Sequence, residues 1–194
     1  MIQQTKYVFF NLLLSVLMLV SMAVHALADV WHVDYSRSHL GFVVFQGQQK
    51  VEGSFERFTA DIKFNPLALE ESVVDVIIDM ASIGTGNATY DATVKQYAWL
   101  NVKEYPQARF TTQRFRHRGT NRYEADAILS IRGKDREVIL PFTLNISDDR
   151  AEVHGILSIL RTDFGVGQGV WASGDMVSLE VEIVFSLTAT RRLP

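Results

Sequence analysis

Few residues in this chain are spaced to do chemistry. Beyond the first 28 residues the histidines are His32, His39, His117 and His154, and none has a carboxylate or a second histidine at metal-ligand spacing. His117 falls in a turn and His154 on the polar face of a strand, so both read as solvated; His39 opens a strand, with a cavity rim as its secondary reading. Acyl transfer would need a nucleophile elbow, but "WASGD" around Ser173 lacks the leading glycine and no helix follows it. The paired acids Glu70–Glu71 and Asp148–Asp149 lie in turns and read as solvated. "GVGQGVWASGD" resembles a phosphate loop only in its glycines, because it opens no helix and carries no Lys-Ser/Thr. It reads instead as a β connection anchored by Trp171. Arg114, Arg116, His117, Arg118 and Arg122 straddle a hairpin tip; the default is a solvated turn, the alternative an anionic head group or diphosphate. Asn87 and Asn145 head formal glycosylation sequons, which matter only in a eukaryotic secretory pathway. Binding is favoured over catalysis.

The elements that would position any site are strands. Leu179, Val181, Ile183, Phe185 and Leu187 alternate with Ser178, Glu180, Glu182, Ser186 and Thr188, giving one dry and one wet face. The same period of two recurs through Val74–Met80, Ala125–Ile131, Val138–Ile146 and Val153–Ile159. Turn sequences such as "NPLALEES", "HRGTNR", "RGKDR" and "SDDR" separate these runs at hairpin spacing. One dry face per strand, repeated many times, predicts a closed barrel or a sandwich. The dry faces are rich in phenylalanine, and such a barrel can either fill or enclose an apolar cavity. One segment breaks the rhythm: Thr89–Trp99 predicts a short helix at about 90–100, with Asp91 as its N-cap and Val94, Tyr97 and Ala98 on one face. Pro106 stops it.

The first 28 residues are read apart from the fold. A polar start with Lys6, the apolar run "VFFNLLLSVLMLVSMAV" and the small residues Ala26 and Ala28 predict a secretory signal cleaved after Ala28, with an uncleaved anchor as the rival. Residues 29–194 read as one domain. Its 18 bases stand against 22 acids, a net charge of −4, which argues against nucleic acid as a partner. Cysteine is absent, so stability must come from burial and sheet hydrogen bonds rather than disulfides.

Ordered motifs then carry a resemblance across nearly the whole domain. "WHVD" (Trp31–Asp34), Ser38 with Phe42, "VEGSF" (Val51–Phe55), "FNP" (Phe64–Pro66), "ASI" (Ala81–Ile83), Asp91, "YPQARF" (Tyr105–Phe110), "LSIRG" (Leu129–Gly133) and "RTDFG" (Arg161–Gly165) resemble the YceI-like family. The resemblance implies an all-β, lipocalin-like antiparallel barrel of about eight strands, exported to the bacterial periplasm. Its apolar tunnel would hold a long isoprenoid or related amphiphile, such as a polyprenyl phosphate or an isoprenoid quinone, as a bound ligand. The family is not regarded as enzymatic, and no covalent cofactor or metal is implied. The chain departs from the family pattern at Tyr90, where an arginine is common, in "QGQQ" (Gln46–Gln49), where a histidine is common, and at Glu137, where a proline is common. "WLNV" (Trp99–Val102) is similar to a branch that accompanies membrane b-type cytochromes, which implies a second reading as a quinone-binding accessory to such a cytochrome.

Carried onto this chain, the tunnel lining falls on Phe42, Phe55, Phe58, Phe64, Val76, Ile78, Phe110, Leu129, Phe142 and Leu157. The mouth is expected near the short helix and the "GVGQGVW" loop, bordered by Trp99, Phe164 and Trp171.

Overall fold

The computed structural model describes residues 28–191; the expected signal segment, but for Ala28, lies outside the described residues. Eleven strands run in the order β1 (Asp29–Val33), β2 (His39–Gln46), β3 (Gln49–Phe55), β4 (Phe58–Phe64), β5 (Val73–Asp79), β6 (Ile83–Gly84), β7 (Gln107–His117), β8 (Arg122–Ile131), β9 (Lys134–Ser147), β10 (Arg150–Leu160) and β11 (Glu180–Arg191). All pairings are antiparallel, and β1-β4-β5-β7-β8-β9-β10-β11 closes into a ring of eight because β11 pairs back onto β1. The expected barrel of about eight strands is therefore what forms. Strands β2, β3 and β6 prolong three of its walls, since β2 shares the β11 edge used by β1, β3 pairs with β2, and β6 pairs with β3.

The extra strands arise where three consecutive walls kink. Between β1 and β2 a 3-10 turn at Tyr35–Arg37 is capped by Asp34, whose Oδ1 accepts from the Ser36 amide and hydroxyl. Ser38 donates to the Asp34 carbonyl at 2.7 Å and accepts from the Thr188 amide at 3.1 Å. Between β5 and β6 the turn Met80–Ser82 is capped by Asp79, and Ser82 accepts from the Arg57 amide at the facing β3–β4 break. A serine hydroxyl thus serves the backbone groups that each kink removes from the ladder.

The one α-helix among the described residues, α1 (Ala88–Val94), lies where a helix is expected but is shorter. Its N-cap is Asn87, which accepts from the Thr89 and Tyr90 amides; the expected cap, Asp91, sits inside the first turn and accepts from the Thr85 amide and hydroxyl. Two Asx-type residues stand four apart here, and the tie to Thr85 decides which one caps. From Lys95 to Val102 the chain continues as successive turns, ending with Asn101 in the left-handed region at φ 49°.

The helix end of the barrel is filled. Met80, Ile83, Leu100, Ala108, Phe164 and Val166 are buried there, with Phe42, Phe55, Val94 and Trp99 packed against them. The loop after β10 is organised by Arg161, which is only 3% exposed. Its guanidinium donates to the carbonyls of Val166, Gly167, Trp171, Ser173, Val177 and Ser178 at 2.6–3.3 Å. The glycines that resemble a phosphate loop have the opposite use: Gly167, at φ 78°, leaves room for the guanidinium beside it and presents a carbonyl to a cation. Burial pushes the Arg161 pKa below its ordinary value, and the six carbonyl dipoles offset part of that desolvation.

On the outer face the basic hairpin cluster is partly paired, three of its arginines sharing two carboxylates. Arg114 and Arg116 both pair with Asp126, and Arg116 and Arg118 with Glu124. One strand pair away, Arg109 meets Asp75 through two bonds of 2.7 and 2.9 Å.

Two measurements bear on this frame. Replacing Arg161→Met leaves several buried carbonyls unpaired, so a loss of about 3–5 kcal/mol is expected, read as a lower midpoint in equilibrium urea unfolding; an unchanged midpoint would contradict the role given to Arg161. The hydrogen bond from Arg109 holds the Asp75 carboxyl below its usual range, and that from Arg114 does the same for Asp126. The stability these pairs add is complete above the unfolded-chain value of 3.8 and is lost as the pH falls through the lower folded values. Asp75→Asn should flatten the acid limb below about pH 4, where wild type loses stability, as followed by thermal unfolding across pH.

Candidate functional site

Closing eight amphipathic strands turns every dry face onto one lumen. The lumen holds a cavity of ≈ 170 Å³. A single water needs on the order of 10–15 Å³ on the same measure, so this is a chamber and not a packing defect. Its wall is apolar. Phe58, Ile62 and Phe64 come from β4, Val74, Val76 and Ile78 from β5, Phe110 from β7, Leu129 from β8, Leu140, Phe142 and Leu144 from β9, Val153 and Leu157 from β10, and Ile183, Phe185 and Leu187 from β11. The two polar groups at the wall are engaged elsewhere. Trp31 donates from Nε1 to the Phe64 carbonyl at 2.9 Å, and Thr112 Oγ1 accepts from the Val74 amide at 2.8 Å and donates to the Val74 carbonyl at 3.2 Å.

Of the residues expected to line a tunnel, the fold brings Phe58, Phe64, Val76, Ile78, Phe110, Leu129, Phe142 and Leu157 to this cavity. Phe42 and Phe55 face the same side of the sheet but pack on each other, with ring centroids 5.8 Å apart, in the filled end. Phe164 is 2% exposed within that same cluster. Trp99 and Trp171 pack together at 5.4 Å, and the Arg161 guanidinium lies 5.3 Å over the Trp99 ring. The Trp99 indole N–H is buried without an acceptor among the described residues, so ring contacts are what hold it. These five residues therefore form the stopper beneath α1 and the Gly165–Trp171 loop, where a mouth was expected. The physical reason is volume: Leu100, Phe164 and Val166 enter from the connections and occupy the space that strands alone would leave.

The other end is only partly closed. Phe64, Phe115, Tyr123 and Phe142 form an aromatic cluster there, edge to face at 5.1 Å between Phe64 and Phe115 and stacked at 5.5 Å between Tyr123 and Phe142. Burial pushes the Tyr123 hydroxyl pKa up. Ile146, at the same end, lines the cavity and is also 38% exposed.

Several further wall residues carry a legible signal in the sequence. Leu140, Val153, Phe185 and Leu187 lie on the alternating faces, and the same period of two points to them. Phe115 carries no such signal. A bulge between Thr112 and Arg114 shifts the register of β7, so Phe110 and Thr112 face inward on even numbers and Phe115 on an odd one.

Comparison with known proteins agrees with this architecture. The profile of the YceI-like domain matches residues 31–189. The chain belongs to the YceI-like family. Burkholderia cenocepacia BcnA, known from its crystal structure, is 34% identical and superposes with a TM-score of 0.79 over 82% of this chain and 100% of its own. A polyisoprenoid-binding domain from Saccharophagus degradans shares the fold at 16% identity, with a TM-score of 0.67 over 84% of this chain and 99% of its own. A UPF0312 protein of Pseudomonas putida strain W619 is 24% identical over 157 residues, covering 78% of each chain. In this YceI-like chain the motif residues Asp34, Ser38, Ser82 and Arg161 all bind backbone, which makes them builders of the barrel and its stopper.

If Trp99 is a stopper, Trp99→Leu should cost on the order of 2–4 kcal/mol in chemical denaturation while leaving affinity for an apolar-chain probe within about twofold, equivalent to under 0.5 kcal/mol. A tenfold loss of affinity with unchanged stability would return Trp99 to the binding wall.

Proposed function

We propose that this chain is an exported, periplasmic binding protein that holds a long-chain isoprenoid or similar amphiphile in the barrel lumen, for transport, storage or sequestration. The observation that carries the reading is the chamber whose polar wall groups are all engaged with the protein itself. Such a wall discriminates by hydrophobic transfer. Each buried CH₂ contributes about 0.8 kcal/mol, so about ten of them outweigh the several kcal/mol that association costs. A polar head has no partner inside and would remain at an opening. The polyisoprenoid-binding domain of Saccharophagus degradans, which shares this fold, supports the same ligand class.

Chemistry on the ligand is not favoured by this arrangement. Asp75, Asp126 and Glu124 lie on the outer face in ion pairs, and the phenol of Tyr123 sits within the aromatic cluster at one end, whereas catalysis would need several polar groups converging inside.

The test is native mass spectrometry of protein recovered from the exported fraction without detergent, which should carry a chain-lipid adduct that organic extraction removes. Val76→Trp, which fills the chamber with an apolar ring, should weaken rebinding of a dansylated geranylgeranyl probe by tenfold or more, about 1.4 kcal/mol. Absence of any adduct together with no rebinding by the stripped wild-type protein would overturn the proposal.

A further inference from the structure

The barrel wall is not uniformly hydrogen-bonded. β9 and β10 pair from Arg150↔Ser147 to Gly155↔Phe142, and there the ladder stops. Both strands continue, β9 back to Lys134 and β10 on to Leu160. Each stays paired on its other side, Val138 with Ala127 of β8 and Leu157 with Ile183 of β11. Beyond Gly155↔Phe142 no residue of Val138–Pro141 is in register pairing with one of Ile156–Ile159.

Pro141 gives a covalent reason for the break. Its carbonyl points toward β10, since a Cβ on Gly155 would lie 2.8 Å from it. A residue's N–H and C=O point to the same side of a strand, so the N–H that proline lacks is one β10 would have used. Proline inside a sheet is tolerated only where a ladder is open.

The lips of this seam are apolar on both faces. On the outside, Ile139 is 57% and Ile156 54% exposed. Directly behind them, Leu140 and Leu157 line the chamber. A second lapse, where β7 outruns β5 after Asp75↔Thr111, is treated differently. Thr112 bonds Val74 through both backbone groups, and the 3-10 turn Leu69–Glu71 lies against β7. No such patch spans Val138–Pro141. The seam is bounded at one end by the Gly155–Phe142 pair and at the other by the Arg161–Phe164 turn, which is tied across by Arg136 Nη2 donating to the Asp163 carbonyl at 2.7 Å.

We propose that the chain ligand passes into and out of the lumen sideways, between β9 and β10, with Ile139 and Ile156 meeting the bilayer that supplies it. This rests on the ligand class proposed above. An apolar chain crossing here moves from lipid to Ile139 and Ile156, then to Leu140 and Leu157, without exposing its length to water. Opening breaks no strand pair beyond Gly155↔Phe142, so the barrel need not unfold to load.

The absence of cysteine makes the test specific. Ile139→Cys/Ile156→Cys is bridged in the folded protein by a bismaleimide, and transfer of a dansylated geranylgeranyl probe to and from phosphatidylcholine vesicles is followed by stopped-flow fluorescence. The bridged protein should load and release at least tenfold more slowly with an unchanged Kd, whereas capping each cysteine singly should not slow it to that extent. Pro141→Val, which restores the missing donor, should raise amide protection at Val138–Leu140 and Ile156–Ile159 and slow transfer in the same sense. Unchanged rates in the bridged protein overturn the lateral route, as does slowing by Ile146→Trp at the barrel end when the bridge has no effect. Failure of the unbridged wild type to take up probe at all removes the ligand reading itself, and is thereby distinguishable from failure of the route.

Discussion

Strand β11 serves the whole molecule with its two edges: β10 along its length on one side, β2 and then β1 on the other. That double pairing closes the sheet, and closure imposes the remaining constraints. A ring of eight strands has one inside, so every alternating apolar face points to the same volume. Side chains on opposite walls must either meet across it or leave a void. Glycines place the largest rings: Phe42 lies over Gly53 and Phe185 over Gly155, each directly across the ladder. The rings can lie along the wall because the facing position has no Cβ, which keeps Phe185 flat against the chamber while Phe42 joins the filled end.

What makes the lumen a chamber is decided at its ends. At the helix end the stopper is built by connections that must themselves be held. Arg161 does this with a charge, buried among six carbonyls and the face of Trp99, with no carboxylate among the groups it bonds. A lysine could not reproduce this, because three donors on one point cannot satisfy carbonyls spread around a planar fork. The charge costs desolvation, but it orders a stretch of loop with little regular structure of its own. The far end uses an aromatic cluster instead, and part of the wall between β9 and β10, beyond Gly155↔Phe142, is left unpaired. Rigidity is thus concentrated where the barrel must be shut.

The family motifs acquire a physical meaning in this setting. Asp34 and Ser38 fold the β1–β2 kink, Ser82, with Asp79 just outside its motif, the β5–β6 kink, and Arg161 and Gly165 the turn into the stopper. None lines the chamber. Their spacing in the chain records where backbone groups leave the ladder and need a side-chain partner. The motifs reach the wall only at Trp31, Phe64, Phe110 and Leu129, and the rest of the lining is apolar bulk that many sequences supply.

Alternation along each strand was sufficient to determine an antiparallel barrel or sandwich and the inward set at Val76, Ile78, Leu129, Phe142 and Leu157, because side-chain direction in a strand follows from a period of two. The same local rule failed wherever the chain broke period. The β7 bulge inverted the parity that places Phe115, and the tie from Asp91 to Thr85 moved the helix cap to Asn87. It could not say that Phe42, Phe55, Trp99, Phe164 and Trp171 would close one end, since that depends on which connections fold back into the lumen and how much volume they bring. Nor could it say that the Pro141 carbonyl would point at β10 beside Gly155. Local pattern fixes which way a side chain points; only the closed ring decides what it meets there.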